Sequence, residues 1–203
     1  IKLKLLLSER EKLSKAILLF DTTKENVGFM DKVLIAEVLH HNKRTILLLR
    51  KQLAELEKQI RQIIASNETI RKQYVLIQTV PGVGPQTAIN LIVCTRCFTT
   101  FENWRKLACY AGVAPFEYSS GTSIKGRTKV NHMANMKIKS LLNMAALAAK
   151  KHDKQLKEYY ERKTKEGKNG MLVMNALRCK ILCRVFATIK RDTPYVNFLK
   201  FAA

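Results

Sequence analysis

From Ile35 onward, side chains recur at steps of four and three: Ile35, Leu39, Asn42, Ile46, Leu49, Leu53, Leu56, Ile60 and Ile63. A helix brings residues at that spacing onto one stripe, whereas a strand would scatter them over both faces. Leu39, Ile46, Leu53 and Ile60 take one core position of a heptad; Ile35, Asn42, Leu49, Leu56 and Ile63 take the other. Asn42 is then the one polar core position, of the kind that sets register and partner number at some cost in stability. At 1.5 Å per residue this helix reaches roughly 40 Å. Leu3, Leu6, Leu13, Ile17 and Phe20 share the spacing, with Arg10 interrupting, and residues 21–32, which hold Gly28, read as a turn. The pattern predicts a helical hairpin arm over 1–66 whose longer helix dimerises. The competing reading is that the stripe packs within its own chain.

Beyond Ala65–Thr69 the apolar segments become shorter, with helical patterns over 74–80, 89–97, 101–112, 136–150, 153–166 and 171–191. The last is apolar on most faces and is predicted to be the central buried helix. No run sustains period-two alternation. The expected fold class is all-α: an extended helical hairpin or coiled-coil arm, then a compact helical domain over 67–203. A hydrophobic content of 47% is enough to pack such a core.

The charge is the compositional anomaly. Thirty-seven Lys and Arg against 16 Asp and Glu give +21, and residues 121–203, with 19 basic and 5 acidic side chains, carry +14 of it. So basic a region calls for a polyanion, of which nucleic acid is the commonest. No export signal is legible and no apolar run is long enough to span a bilayer, so the expectation is a cytoplasmic protein with no membrane partner. Five scattered cysteines then read as reduced thiols. Cys94-Thr-Arg-Cys97 has the spacing of half a zinc knuckle, but no second half follows, and no metal site is expected.

Two local motifs carry chemistry. In 81-PGVGPQTA-88, Pro81 stops one helix, Gly82 and Gly84 allow the positive φ of a tight turn, Val83 points inward, and Pro85 suits the first turn of the next helix. Backbone N–H groups beside side-chain-free glycines can approach an anion, which makes 74–97 a candidate helix-hairpin-helix contacting DNA backbone through Gly82 and Gly84. In 116-FEYSSGTSIKGRTKV-130, two serines precede a glycine, and Lys125, Arg127 and Lys129 alternate with small or polar residues, as in a strand or loop that tracks phosphates. His132, Asn135, Lys137 and Lys139 then open a helix. A serine hydroxyl attacks phosphate only with a base or metal for its proton and cations for the developing charge; Lys125 and Arg127 supply cations, and no nearby residue supplies the base.

The order PGVGPQTA, then F-x-x-W-R-K-L-A-C-Y-A-G-V-A-P, then Y-S-S-G-T-S-I-K-G-R-T, then Y-Y-E-R-K-x-x-E-G-K resembles the C-terminal transposase domain of the IS-110 / IS-116 / IS-902 insertion-sequence family, from about Val75 to about Tyr195. The arm resembles the coiled coil that this family places between its two catalytic parts. The resemblance implies a bacterial DNA recombinase working at the nucleoid, guided by an element-encoded RNA and assembled as a homodimer or tetramer. It implies that a RuvC-like domain holds Mg²⁺ through acidic residues, and that a serine before the glycine forms a phosphoserine link to DNA. That serine is Ser120, with Ser119 as the alternative. The chain begins at Ile1 near the arm, so the acidic domain is expected to be missing, and with it the metal; this chain alone is expected to bind DNA without cutting it.

Two further readings compete. A non-catalytic helix-hairpin-helix protein that bridges DNA through its arm accounts for the charge and the heptads equally well. A basic RNA-binding structural protein accounts for the charge but gives the glycine turn no role.

Overall fold

The computed structural model describes residues 1–22, 32–120, 124–130 and 134–197. Eight helices and one two-stranded hairpin follow in the order α1 (Lys2–Thr22), α2 (Lys32–Ser66), α3 (Glu68–Gln78), α4 (Pro85–Thr95), α5 (Trp104–Tyr110), β1 (Pro115–Ser120), β2 (Ile124–Val130), α6 (Met136–His152), α7 (Lys154–Lys165) and α8 (Gly170–Arg191). The all-α class holds. The short hairpin is an addition that the apolar pattern did not announce, because β2 alternates charged with small or polar residues rather than apolar with polar ones. The chain divides into two compact units, Ile1–Glu68 and Thr69–Ala203.

In the first unit α1 packs along α2. Leu3 and Leu7 of α1 and Ile46, Ile60 and Ile64 of α2 are buried, and Arg10 pairs with Glu57 at 2.8 Å. Arg10, which interrupts the apolar spacing, thus has an acidic partner on the opposing helix. Part of the heptad stripe is therefore consumed inside the chain: Ile46 and Ile60 are buried, and Leu49, Leu53 and Leu56 are half-buried. Gly28 and most of the expected turn lie outside the described residues.

In the second unit α8 is central, packing on α5, α6 and α7. Leu177, Ile181, Leu182 and Val185 are fully buried, as are Leu142 of α6, Leu107 of α5 and Leu156 of α7. Met171 and Leu172 at the start of α8 are exposed, so the helix is apolar beyond the face it buries. On α6 the buried positions are largely alanines, Ala145, Ala146 and Ala149, which let neighbouring backbones come close. The helix ends follow capping chemistry. Asn103, Asn135, Asp153 and Asn169 each accept a backbone N–H at the start of α5, α6, α7 and α8, satisfying donors that a helix cannot satisfy itself. Arg96, Cys97 and Phe98, all at positive φ, end α4, and buried Thr95 steadies them by accepting the Phe98 N–H at 2.9 Å.

Candidate nucleic-acid interface and serine hairpin

The turn between α3 and α4 is built as its residue types require, with one correction. Val83 is buried and Pro85 opens α4. Gly82 has φ +86°, and a Cβ built on it would lie 2.3 Å from the Ala145 carbonyl oxygen and 2.8 Å from the Ala149 nitrogen. Its missing side chain is what lets the turn sit on α6. Gly84 differs from expectation: it caps α4 in an extended conformation, φ −90°, open to any residue, and nothing lies within 4 Å of where its Cβ would be. No side-chain hydrogen bond from the N-cap position closes the start of α4, so the open side of the turn is at Gly84 and the packed side at Gly82.

Ser120 is the last residue of β1 and pairs with Ile124; Ser119 pairs with Lys125 and Tyr118 with Gly126. The connecting residues 121–123 lie outside the described set, as does His132. Lys125, Arg127 and Lys129 all fall on β2, where a register shift opposite the span from Phe116 to Tyr118 interrupts simple alternation. Lys137 and Lys139 lie in the first turn of α6, both half-buried.

Root contacts fix where this hairpin leaves the domain. The Asn135 N–H donates to the Tyr110 carbonyl and the Asn135 amide to the Tyr110 hydroxyl, each at 2.9 Å, closing the excursion at its base. On the incoming side, the Val113 carbonyl accepts from Asn175 Nδ2 at 2.5 Å and from the Cys179 thiol at 3.4 Å. Asn175 is held in turn by Arg178, whose Nη1 donates to its Oδ1 at 3.2 Å while Nη2 donates to Asn143 Oδ1 at 2.5 Å. Arg178 is buried, its hydrogen-bond partners among the described residues are neutral, and burial pushes its pKa down. Sequence reasoning missed this root. The available signal was an arginine and an asparagine on the buried flank of an otherwise apolar helix.

Three of the five thiols are poor candidates for chemistry. Burial pushes Cys94 up to about 12 and raises Cys97 and Cys179 as well, although Arg178 pulls Cys179 the other way. These three stay protonated near neutral pH. Among the described residues no group of three or more His, Cys, Asp or Glu could hold a metal ion, and no helix is long and apolar enough to cross a membrane. The Mg²⁺ that the resemblance implies therefore has no fitting ligand set among the described residues.

Residues 74–161 match the profile described as "Transposase IS116/IS110/IS902 family". The match covers 88 of the 203 residues. It contains the α3–α4 turn, the whole serine hairpin and α6, and it ends within α7. The chain is similar to the pilin gene-inverting proteins of Moraxella bovis and Moraxella lacunata, each 26% identical over 196 residues, covering 96% of this chain and 59% of the relative. It is 32% identical over 120 residues, 59% of this chain and 29% of the relative, to an insertion element IS110 uncharacterized 43.6 kDa protein of Streptomyces coelicolor. The chain thus spans about six-tenths of the length of the Moraxella proteins. Every residue singled out for chemistry, from Gly82 to Lys139, falls inside the transposase segment; the root residues Asn175, Arg178 and Cys179 fall beyond it, on α8.

Proposed function

We propose that this chain is the nucleophile-bearing part of a DNA recombinase, with Ser120 as the attacking residue. The observation that carries the reading is the position of Ser120 at the end of β1 in a rooted hairpin, inside the transposase-family segment, with Lys125, Arg127 and Lys129 on the paired strand. In the proposed step Ser120 Oγ attacks the phosphorus of a phosphodiester. A new O–P bond forms, the bond to the leaving sugar oxygen breaks, and the serine proton ends on that oxygen. One phosphoester replaces another, so rejoining needs no external energy source. That economy suits an inversion of the kind named for the Moraxella relatives, which cuts and reseals the same DNA.

The turn at Gly84 is proposed as a helix-hairpin-helix contact to the DNA backbone, since α4 opens there without a side-chain cap. Lys137 and Lys139 extend the basic track. The acidic, Mg²⁺-holding RuvC-like part would come from sequence other than the described residues, together with a guide RNA and a second copy joined through the arm, in the bacterial cytoplasm at the nucleoid. No step assigned to this chain runs through the metal, and this chain by itself is proposed to bind DNA without cutting.

The test joins this chain to the part of a Moraxella relative outside the matched region and incubates the product with Mg²⁺, element-end DNA and element RNA. Denaturation, digestion and mass spectrometry follow. A nucleotide linked through phosphate to Ser120, lost in Ser120→Ala and kept in Ser119→Ala, is expected. Tight DNA binding with no adduct on either serine overturns the nucleophile and leaves the non-catalytic, DNA-bridging reading in front.

A further inference from the structure

Away from the serine hairpin, α7 and α8 enclose a cavity of about 700 Å³, within the range of ligand-binding clefts, whose lining includes Glu158, Tyr159, Arg162, Lys180, Cys183 and Arg184. The cations in it are of two kinds. Arg184 is committed: it pairs with buried Asp153 at 2.6 Å, bonds Gln155, and lies 4.9 Å from the Tyr195 ring. Arg162 and Lys180 make no ion pair among the described residues. They converge instead on one aromatic ring, Lys180 Nζ at 4.4 Å and the Arg162 guanidinium at 5.7 Å from the centre of Tyr159. Two like charges drawn to one ring repel each other. The ring's quadrupole offsets part of that cost and fixes where the charges sit, but it neutralises neither. Glu158 also lines the cleft, yet it forms no ion pair with either cation among the described residues.

A cleft holding two positioned cations, neither in an ion pair among the described residues although Arg162 feels the Glu166 carboxylate at longer range, is suited to an anion that offers several oxygens at once. We infer that this α7–α8 cleft is a second DNA contact, in which Arg162 and Lys180 bind phosphates of a strand's backbone. The inference rests on the DNA reading proposed above and adds a surface to it. Lys180 already occupies a face of Tyr159, so a base does not stack there; recognition is of phosphates and independent of sequence. The cleft and the hairpin root lie on different flanks of α8, since Asn175 and Cys179 hold Val113 while Lys180 and Arg184 face α7. One helix would thus be gripped by DNA on one flank while supporting the serine hairpin on the other.

Cys183 gives a local readout, being the one exposed thiol of the five, and it lines the cleft. The whole 203-residue chain is titrated with a fluorescein-labelled oligonucleotide duplex by anisotropy, and alkylation of each cysteine is followed by mass spectrometry with and without saturating duplex. Expected are severalfold slower alkylation of Cys183 with duplex, and for Arg162→Gln/Lys180→Gln a loss of affinity of about tenfold or more. The slope of log affinity against log salt should shrink by about 1.8, the value for two phosphate contacts. Lys43→Gln/Arg44→Gln, which removes equal charge from α2, should lose much less; an equal loss would reduce the effect to net charge and overturn the site. Saturable anisotropy with unchanged Cys183 alkylation overturns the cleft alone, whereas flat anisotropy overturns the DNA reading itself. Protection of Cys183 by ATP or inorganic phosphate as strong as that by duplex would make the cleft a free-nucleotide pocket and overturn the strand contact.

Discussion

The two units are both helical, yet they bury their side chains in different ways. In the arm, α1 and α2 share one seam with five buried apolar residues, while Leu5, Leu18, Leu19, Leu47 and Leu48 stay more than half exposed. In the second unit α8 is surrounded, and buried side chains from six helices, α3 to α8, form one continuous cluster. A pair of helices has only one mutual face, whereas a helix inside a cluster can bury most of its circumference. The arm's stability is thus spread over a long contact in which no single residue dominates. The second unit concentrates it at points of close approach, above all where Gly82 meets Ala145 and Ala149.

The comparison breaks most readily at that close approach. Gly82→Val forces a branched side chain into both a clash and a left-handed φ, and should destabilise the second unit by about 4 kcal/mol in urea unfolding. Gly84→Ala, two residues along the same turn in open space, should change stability by less than about 1 kcal/mol. A similar cost at both glycines would mean that the turn, not its packing on α6, sets the requirement. Next in size, Leu142→Ala on α6 should cost about 3 kcal/mol by leaving a cavity, whereas Leu48→Ala on α2 should stay within about 0.5 kcal/mol. If Leu48→Ala proves as costly as Leu142→Ala, the exposed leucines of the arm are covered in solution, and sedimentation of the same variants would then report a second copy.

A smaller effect tests the hairpin root. Arg178→Gln withdraws donors from Asn143 and Asn175, and should cost about 2 kcal/mol. It should also speed amide hydrogen exchange in β1 and β2 while leaving α3 unchanged. Equal acceleration everywhere would reduce Arg178 to a general core residue. The smallest effect concerns pH. Cys94 rises from 9.0 to about 12 because burial disfavours its thiolate, so above pH 9.0 the unfolded chain releases a proton that the folded chain keeps. Stability therefore falls as pH rises through that window, by about 1 kcal/mol one unit above its start. Cys94→Ala should flatten this part of the pH profile; an unchanged profile would assign the loss to Cys97, Cys179 or lysines.

The heptad spacing from Ile35 to Ile63 was enough to specify a helix, because only a 3.6-residue period gathers those side chains on one stripe. Turn chemistry at Pro81–Pro85, the inward Val83 and the central place of 171–191 were legible for the same reason: each depends on local backbone preference or on apolar periodicity. Y-S-S-G with its ordered neighbours led to the transposase family without any geometry. What the sequence did not contain was how elements far apart in the chain meet. That Gly82 is also needed for packing was decided by α6, which lies some sixty residues downstream. The hairpin of 115–130 is flanked by Asn135 closing onto Tyr110 and Asn175 reaching Val113, contacts with no periodic signature. Lys180 read as one more charge in a basic stretch; only packing α7 against α8 placed it, with Arg162, on Tyr159. Periodicity reports which face of an element is apolar, whereas polar residues gain their roles from partners that only the folded chain brings within a few ångströms.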